Sequence, residues 1–262
     1  MLRFDHPRDD RKGRKGRTIV IDMGPDTLGW TGRQGLADLL EVAGPYIDYG
    51  KIWAMNAATL PKTFVRDVVA MYKAAGIAPF AGGILFEYAF LKNDIEGLIE
   101  LLLHLDLTGL EISENYLTLQ MDERLRQIER FTRAGIDIVF EYGRKKPYTP
   151  MPPEDLAAVV DKVMACGAHH VIFEQSEFDL LDETDPAAVD QMVGEAWFDQ
   201  VFIEADPFRF PKQHAELIQR FGPDINLANI TPGQVVRVEN FRRGLGRTVD
   251  FPLIREMVED DV

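Results

Sequence analysis

The chain holds one cysteine, Cys166, in 262 residues, so an intramolecular disulfide and a multi-cysteine metal site are both excluded. No run of about 18 apolar residues occurs, which leaves no candidate membrane helix. The N-terminal stretch MLRFDHPRDDRKGRKGR lacks the apolar segment of a secretory signal, and a cytoplasmic protein is expected. Positive charge is scarce as well. Against 43 Asp and Glu stand 29 Lys and Arg, a net charge of -14 and a pI near 4.8. That balance excludes a general nucleic-acid binder, whose phosphate partner needs a cationic face. It leaves small anions open, because a few well-placed cations bind a phosphate whatever the overall charge.

Other absences narrow the chemistry. His104, His169, His170 and His214 show no metal-ligand spacing. No serine sits in a nucleophile elbow, so covalent acyl chemistry has no support. A Gly-rich dinucleotide turn is missing after the first strand pattern, which argues against a doubly wound open sheet. No Pro/Gly/Ser-rich linker divides the chain, so a second domain is not expected.

What is present is alternation. Short apolar runs rich in β-formers recur at residues 17–23, 47–54, 77–82, 109–113, 136–141, 169–174, 200–205 and 225–229. Helical spacing separates them at 34–43, 62–75, 94–105, 121–134, 154–165, 186–193, 211–220 and 232–243. Eight strands at crossover spacing predict a (β/α)₈ TIM barrel over residues 17–262, preceded by a flexible polar arm over residues 1–16.

The strand ends carry charge. Asp22, Lys51, Glu111, Glu141, Glu174 and Glu204 close their runs, and Glu87 follows the third. In a barrel these ends converge on one mouth. Carboxylates crowded together repel unless a divalent cation joins them, and oxygen ligands suit Mg²⁺. Asp22, Glu87, Glu111, Glu174 and Glu204 are therefore the expected metal ligands, although a strand-end acid can equally cap a helix or pair with a cation. Lys51 would neutralise a substrate anion or donate a proton. Glu141 and Lys145, in IDIVFEYGRKK, are candidates for metal or proton handling and for anion binding. At the far end, INLANI and ENFRRGLGRT combine Asn226, Asn229, Arg242 and Arg243, a composition suited to phosphate.

The blocks ADLLEVAGPYIDYGK, AGGILFEYA, GLEIS, EYGRKKP, NLANI and FRRGL resemble, in order and spacing, the phosphosulfolactate synthase family over residues 13–247. The resemblance implies a barrel lyase that uses Mg²⁺ to add sulfite to C3 of phosphoenolpyruvate, on the route to coenzyme M. The implied partner is a small phosphoenolpyruvate-like anion, with no nucleic acid and no membrane, in a homo-oligomer. Lys51, Glu87, Glu141 and the Asn226/Asn229 to Arg243 region fall on matching motifs. The substrate loops depart from the pattern. The family's K-F-G-x-G-T is Lys51 followed by IWAMN, E-I-S-D-G is EISEN, E-G-R is Glu174-Gln175-Ser176, and the loop after Glu204 reads ADPFRFPK. These changes predict an altered second substrate, with Arg209 as a replacement cation. Divergence to another phospho-enol or carboxylate substrate, or to a non-catalytic stress-associated barrel, are the alternatives.

Overall fold

A computed structural model describes residues 15–25 and 32–259. Most of the polar arm expected over residues 1–16 lies outside them. Of its last two residues, Gly16 N donates to Asp224 O at 2.7 Å, and Lys15 pairs with Asp199 at 3.2 Å.

Eight parallel strands close on themselves in sequence order. They are Thr18–Asp22 (β1), Tyr49–Ile52 (β2), Ala78–Ala81 (β3), Gly109–Ile112 (β4), Asp137–Tyr142 (β5), Ala168–Phe173 (β6), Val201–Glu204 (β7) and Leu227–Ile230 (β8). β8 pairs with β1 to complete a single-domain (β/α)₈ barrel. The expected helices form within a residue or two of the predicted ends, except that the last begins as a 3-10 turn at Pro232–Gln234 before Val235–Arg242. Among the described residues four more α-helices were not foreseen: Asn56–Thr59, Ile84–Leu91, Gln175–Thr184 and Pro252–Glu259. Ile84–Leu91, ILFEYAFL, is apolar on every side, so it carries no helical period to read.

Two apolar layers follow from the strand period of two. Inward positions Ile19, Phe80, Val139, Ile172, Phe202 and Ala228 fill the barrel. The alternate positions, among them Val20, Ile52, Leu110, Ile138, Val171 and Ile203, pack under the helices. The inward parity carries on past the filled middle and brings Lys51, Glu111, Glu141 and Glu204 into one cavity at the C-terminal mouth.

The opposite end is closed by polar contacts. The Arg17 guanidinium donates to Asp199 O at 2.8 Å, lies 3.2 Å from the His170 ring and covers Phe202 at 5.0 Å. Tyr49 Oη meets His170 Nε2 at 2.5 Å. Burial, with Arg17 adding to it, pushes His170 down to about 3, so the ring is neutral and accepts from the phenol.

Gly50 in β2 is required by its neighbour. A Cβ there would come within 3.0 Å of the Tyr72 ring, which is fully buried and anchored by its hydroxyl to Asp22 at 2.9 Å. Gly50→Ala should therefore destabilise the barrel by about 1–3 kcal/mol. Urea unfolding would show a lower midpoint at constant slope; an unchanged midpoint would contradict this packing.

Candidate active site

The mouth cavity measures about 400 Å³, and its charged lining comes from four strands and one loop: Lys51 (β2), Glu111 (β4), Glu141 (β5), Glu204 (β7), and Lys145 after β5. Lys51 is its centre. Its ammonium lies 2.7 Å from Glu111 Oε2 and 3.6 Å from Glu141 Oε2, and donates to Asn229 Oδ1 at 3.3 Å. Asn229 reaches inward because its backbone turns left-handed, φ 60°, breaking the alternation of β8. Lys145 spans the other side, 3.1 Å from Glu174 and 3.7 Å from Glu204.

Burial sets the protonation of this cluster. It pulls the Lys51 ammonium down, but Glu111, Glu141 and Glu204 together more than offset it, and the group is held above the usual lysine range. Lys145 is raised in the same way by Glu204, Glu141 and Glu174. Burial pushes Glu111 up to about 7 against the pull of Lys51. It pushes Glu204 up to about 8, with the Glu141 charge adding to the effect. For Glu141, burial acts upward too, yet Lys51, Lys145 and hydrogen bonds from Asn115 and Glu204 leave it lowered. Glu141 is thus the standing anion, and Glu204 keeps a proton that it shares with Glu141 near neutral pH.

Not every expected residue enters this cavity. Asp22 has the parity of Val20 and faces the helix layer, where Gly24 N at 2.8 Å and the Tyr72 hydroxyl at 2.9 Å donate to it. Glu87, on Ile84–Leu91, accepts from Ser113 Oγ at 2.5 Å and from the Asn115 and Tyr116 amides, each at 2.9 Å. It ties down the loop after β4. Glu174 accepts from the Ser176 and Glu177 amides and caps Gln175–Thr184. Among the described residues no three His, Cys, Asp or Glu side chains are arranged to hold a metal ion, so the five-acid set is not assembled as expected.

The expected phosphate residues also divide. Asn226 directly precedes β8 at the closed end, where its Oδ1 accepts from Arg17 N at 2.9 Å and its amide donates to Asp199 O at 3.0 Å. Arg242 is buried and donates to Ile225 O at 2.6 Å. Arg243 pairs with Glu239 at 2.9 Å and covers Tyr46 at 5.4 Å. These two arginines end their helix, and barrel helices run antiparallel to the strands, so the residues come back to the N-terminal face. Arg209 is on the mouth side but bound to Asp179 at 2.5 Å. Asn229 alone of this group lines the cavity.

Three participants went unassigned in the sequence. Asn115 Nδ2 donates to Glu141 Oε1 at 2.8 Å. Gly83 N donates to Glu111 Oε1 at 2.8 Å, and a Cβ at Gly83 would meet Ser113 Oγ at 2.4 Å. The Gly82-Gly83 pair directly after a strand was the available signal. Phe208 joins the cavity wall from a 3-10 turn at Pro207–Arg209 that carries no periodic pattern.

The relatives of this chain define an enzyme of the lyase type, and a closed barrel with paired lysines and carboxyls at its C-terminal mouth accords with one. The chain belongs to the (2R)-phospho-3-sulfolactate synthase (ComA) family, whose model matches residues 6–248. It is 29% identical over 252 residues to the phosphosulfolactate synthase of Methanothermobacter thermautotrophicus, covering 91% of this chain and 93% of that protein. The phosphosulfolactate synthase of Bacillus subtilis is 24% identical over 251 residues, with 93% and 94% covered. Among solved structures, a phosphonopyruvate hydrolase in complex with oxalate and Mg²⁺ superposes with a TM-score of 0.52 at 13% identity, covering 95% and 90%. A deoxyribose phosphate aldolase from Aeropyrum pernix gives 0.51 at 12%, covering 89% and 94%. Both likenesses speak for the fold alone.

The raised acids carry a stability signature. Glu111 and Glu204 hold protons in the folded chain that they release near the ordinary carboxylate pKa when unfolded, so stability falls as pH rises from about 4.5 through about 8. Denaturant unfolding between pH 6 and 9 should show that fall, and Glu204→Gln should flatten it. An equal fall in the variant would contradict the protonated Glu204.

Proposed function

We propose that this enzyme adds a sulfur nucleophile, sulfite or a relative of it, to C3 of phosphoenolpyruvate or a close phospho-enol acid. The observation that carries the reading is the pair of ammonium groups, Lys51 and Lys145, set among carboxyls that retain protons. Such a cluster accepts a small polyanion without needing a net positive protein.

The chemistry fits these side chains. The nucleophile's lone pair forms a bond to C3, the π electrons move onto C2 and the carboxylate, and a proton then reaches C2. Lys51 neutralises the charge that builds on the substrate and delivers the proton, with Glu111 beside it at 2.7 Å to replenish it. Lys145 orients the anion. Glu141, held ionised, keeps Lys51 charged and aimed.

Mg²⁺ suits the same mouth in a modest form. This ion takes one or two carboxylates and completes its shell with substrate and water, so a three-carboxylate cage is not needed. Glu141 and Glu204 share a proton that a cation can replace, and the buried Glu204 Oε2 has no hydrogen-bond partner among the described residues. These two would hold the ion, which would supply charge neutralisation at the substrate carboxylate. The non-catalytic reading is less well supported, because a scaffold has no use for an ammonium buried among carboxyls, a costly arrangement.

Recombinant protein with Mg²⁺ and phosphoenolpyruvate should consume a sulfur nucleophile, and Lys51→Met should lower kcat/KM by about 10²- to 10⁴-fold. Phosphoenolpyruvate with Mg²⁺ should also raise the Tm of the wild-type protein. No Tm shift and no turnover of phosphoenolpyruvate with any sulfur nucleophile would overturn the reading.

A further inference from the structure

The mouth cavity is divided by polarity. Lys51, Glu111, Glu141, Lys145, Glu204 and Asn229 supply its charged and polar lining, whereas Ile21, Met23, Trp53, Ala54, Pro207 and Phe208, from β1 and the segments that follow β1, β2 and β7, supply an apolar wall. The loops after strands seven and eight are where barrels commonly hold a phosphate. Here that ground is Pro207 and Phe208. Among the described residues the arginines near it are engaged elsewhere: Arg209 is clasped by Asp179, Arg237 lies over Phe210 and Phe241, and Arg242 and Arg243 lie at the other face.

Two aromatic rings in this wall are held out toward solvent by ordered backbone. Trp53, 43% exposed, has its N–H bonded to Asp22 O at 3.0 Å and its carbonyl to Asn56 N at 2.9 Å. The next residue, Ala54, takes the left-handed conformation at φ 44°, and Gly82 admits that turn, since a Cβ there would meet Ala54 N at 3.0 Å. Phe208, 79% exposed, sits on a turn fixed by its own N–H to Asp206 Oδ1 at 2.9 Å and by Arg209 N to Asp206 O at 3.0 Å. Rigidly presented rings beside a cavity of about 400 Å³ supply contact area at little entropic cost, and a volume of this size holds ligands well beyond a three-carbon acid.

We infer that the nucleophilic substrate carries its anionic sulfur on an apolar or aromatic body, which Trp53 and Phe208 grip while the phospho-enol acid occupies Lys51 and Lys145. The inference rests on the proposed phospho-enol reading for the assignment of the two halves. Bound this way, a sulfinate R–SO₂⁻ forms an S–C3 bond, its lone pair displaces the π electrons to C2, and one proton taken up at C2 gives a sulfone. No oxidant or reductant is required.

Calorimetric titration of the full chain with benzenesulfinate and, separately, with phosphoenolpyruvate, both with Mg²⁺, tests this. Wild type should bind both. Trp53→Ala and Phe208→Ala should each weaken benzenesulfinate about tenfold, an effect the size of one lost aromatic contact, with phosphoenolpyruvate affinity within twofold and Trp53→Phe recovering most of the loss. Both side chains are exposed, so the variants are expected to fold. Absence of benzenesulfinate binding, or binding indifferent to both substitutions, overturns the inference and leaves the phospho-enol reading standing if phosphoenolpyruvate still binds. Trp53-dependent binding of benzenesulfinate without any of phosphoenolpyruvate supports the apolar wall and overturns the phospho-enol reading instead.

Discussion

The buried Lys51 ammonium sits 2.7 Å from Glu111 and 3.6 Å from Glu141 at the barrel mouth, and the rest of the site is arranged to make that contact tolerable. A buried ion pair returns its desolvation cost only when the remaining donors and acceptors are met. Asn229 Oδ1 accepts a hydrogen bond from Lys51, Gly83 N and Asn115 Nδ2 serve the two carboxylates, and burial pushes Glu204 toward its protonated, uncharged form. The strained turn at Asn229 and the close approach at Gly83 are both consequences of placing these partners.

That balance is also what equips the mouth for an anion. Three carboxyls and two ammonium groups would leave the mouth negative toward a phospho-enol acid if all were ionised, but Glu111 and Glu204 are pushed toward their neutral forms. The cluster can then change its charge by gaining or losing a proton, or by exchanging the Glu141–Glu204 proton for a cation, as substrate arrives.

The barrel was legible because strand and helix periods are strong local signals, and the eight runs were found within a few residues of their observed ends. Lys51, Glu111, Glu141 and Glu204 were legible at the mouth because they fall near strand ends with inward parity, whereas Asn229 reaches it only through the left-handed turn of its backbone. Asp22 fails by one position: it closes its strand on the outward parity of Val20. Glu87 and Glu174 reach the top of the barrel, but their oxygens are taken by loop and helix amides, a competition that strand patterns do not reveal. Asn226, Arg242 and Arg243 were misjudged because adjacency in sequence to the last strand says little about which face is reached. Asn226 directly precedes that strand, and the arginines end the helix that returns from it. The family resemblance over nearly the whole chain is borne out, with its matching motifs serving partly the barrel's lower closure and not its mouth.

A crystal structure of the protein with phosphoenolpyruvate tests the Lys51-centred site most directly. The predicted result is the ligand's anionic groups against Lys51 and Lys145, next to Glu141 and Glu204. Electron density for the ligand at the Arg242 and Arg243 face, with the mouth left to solvent, would contradict it.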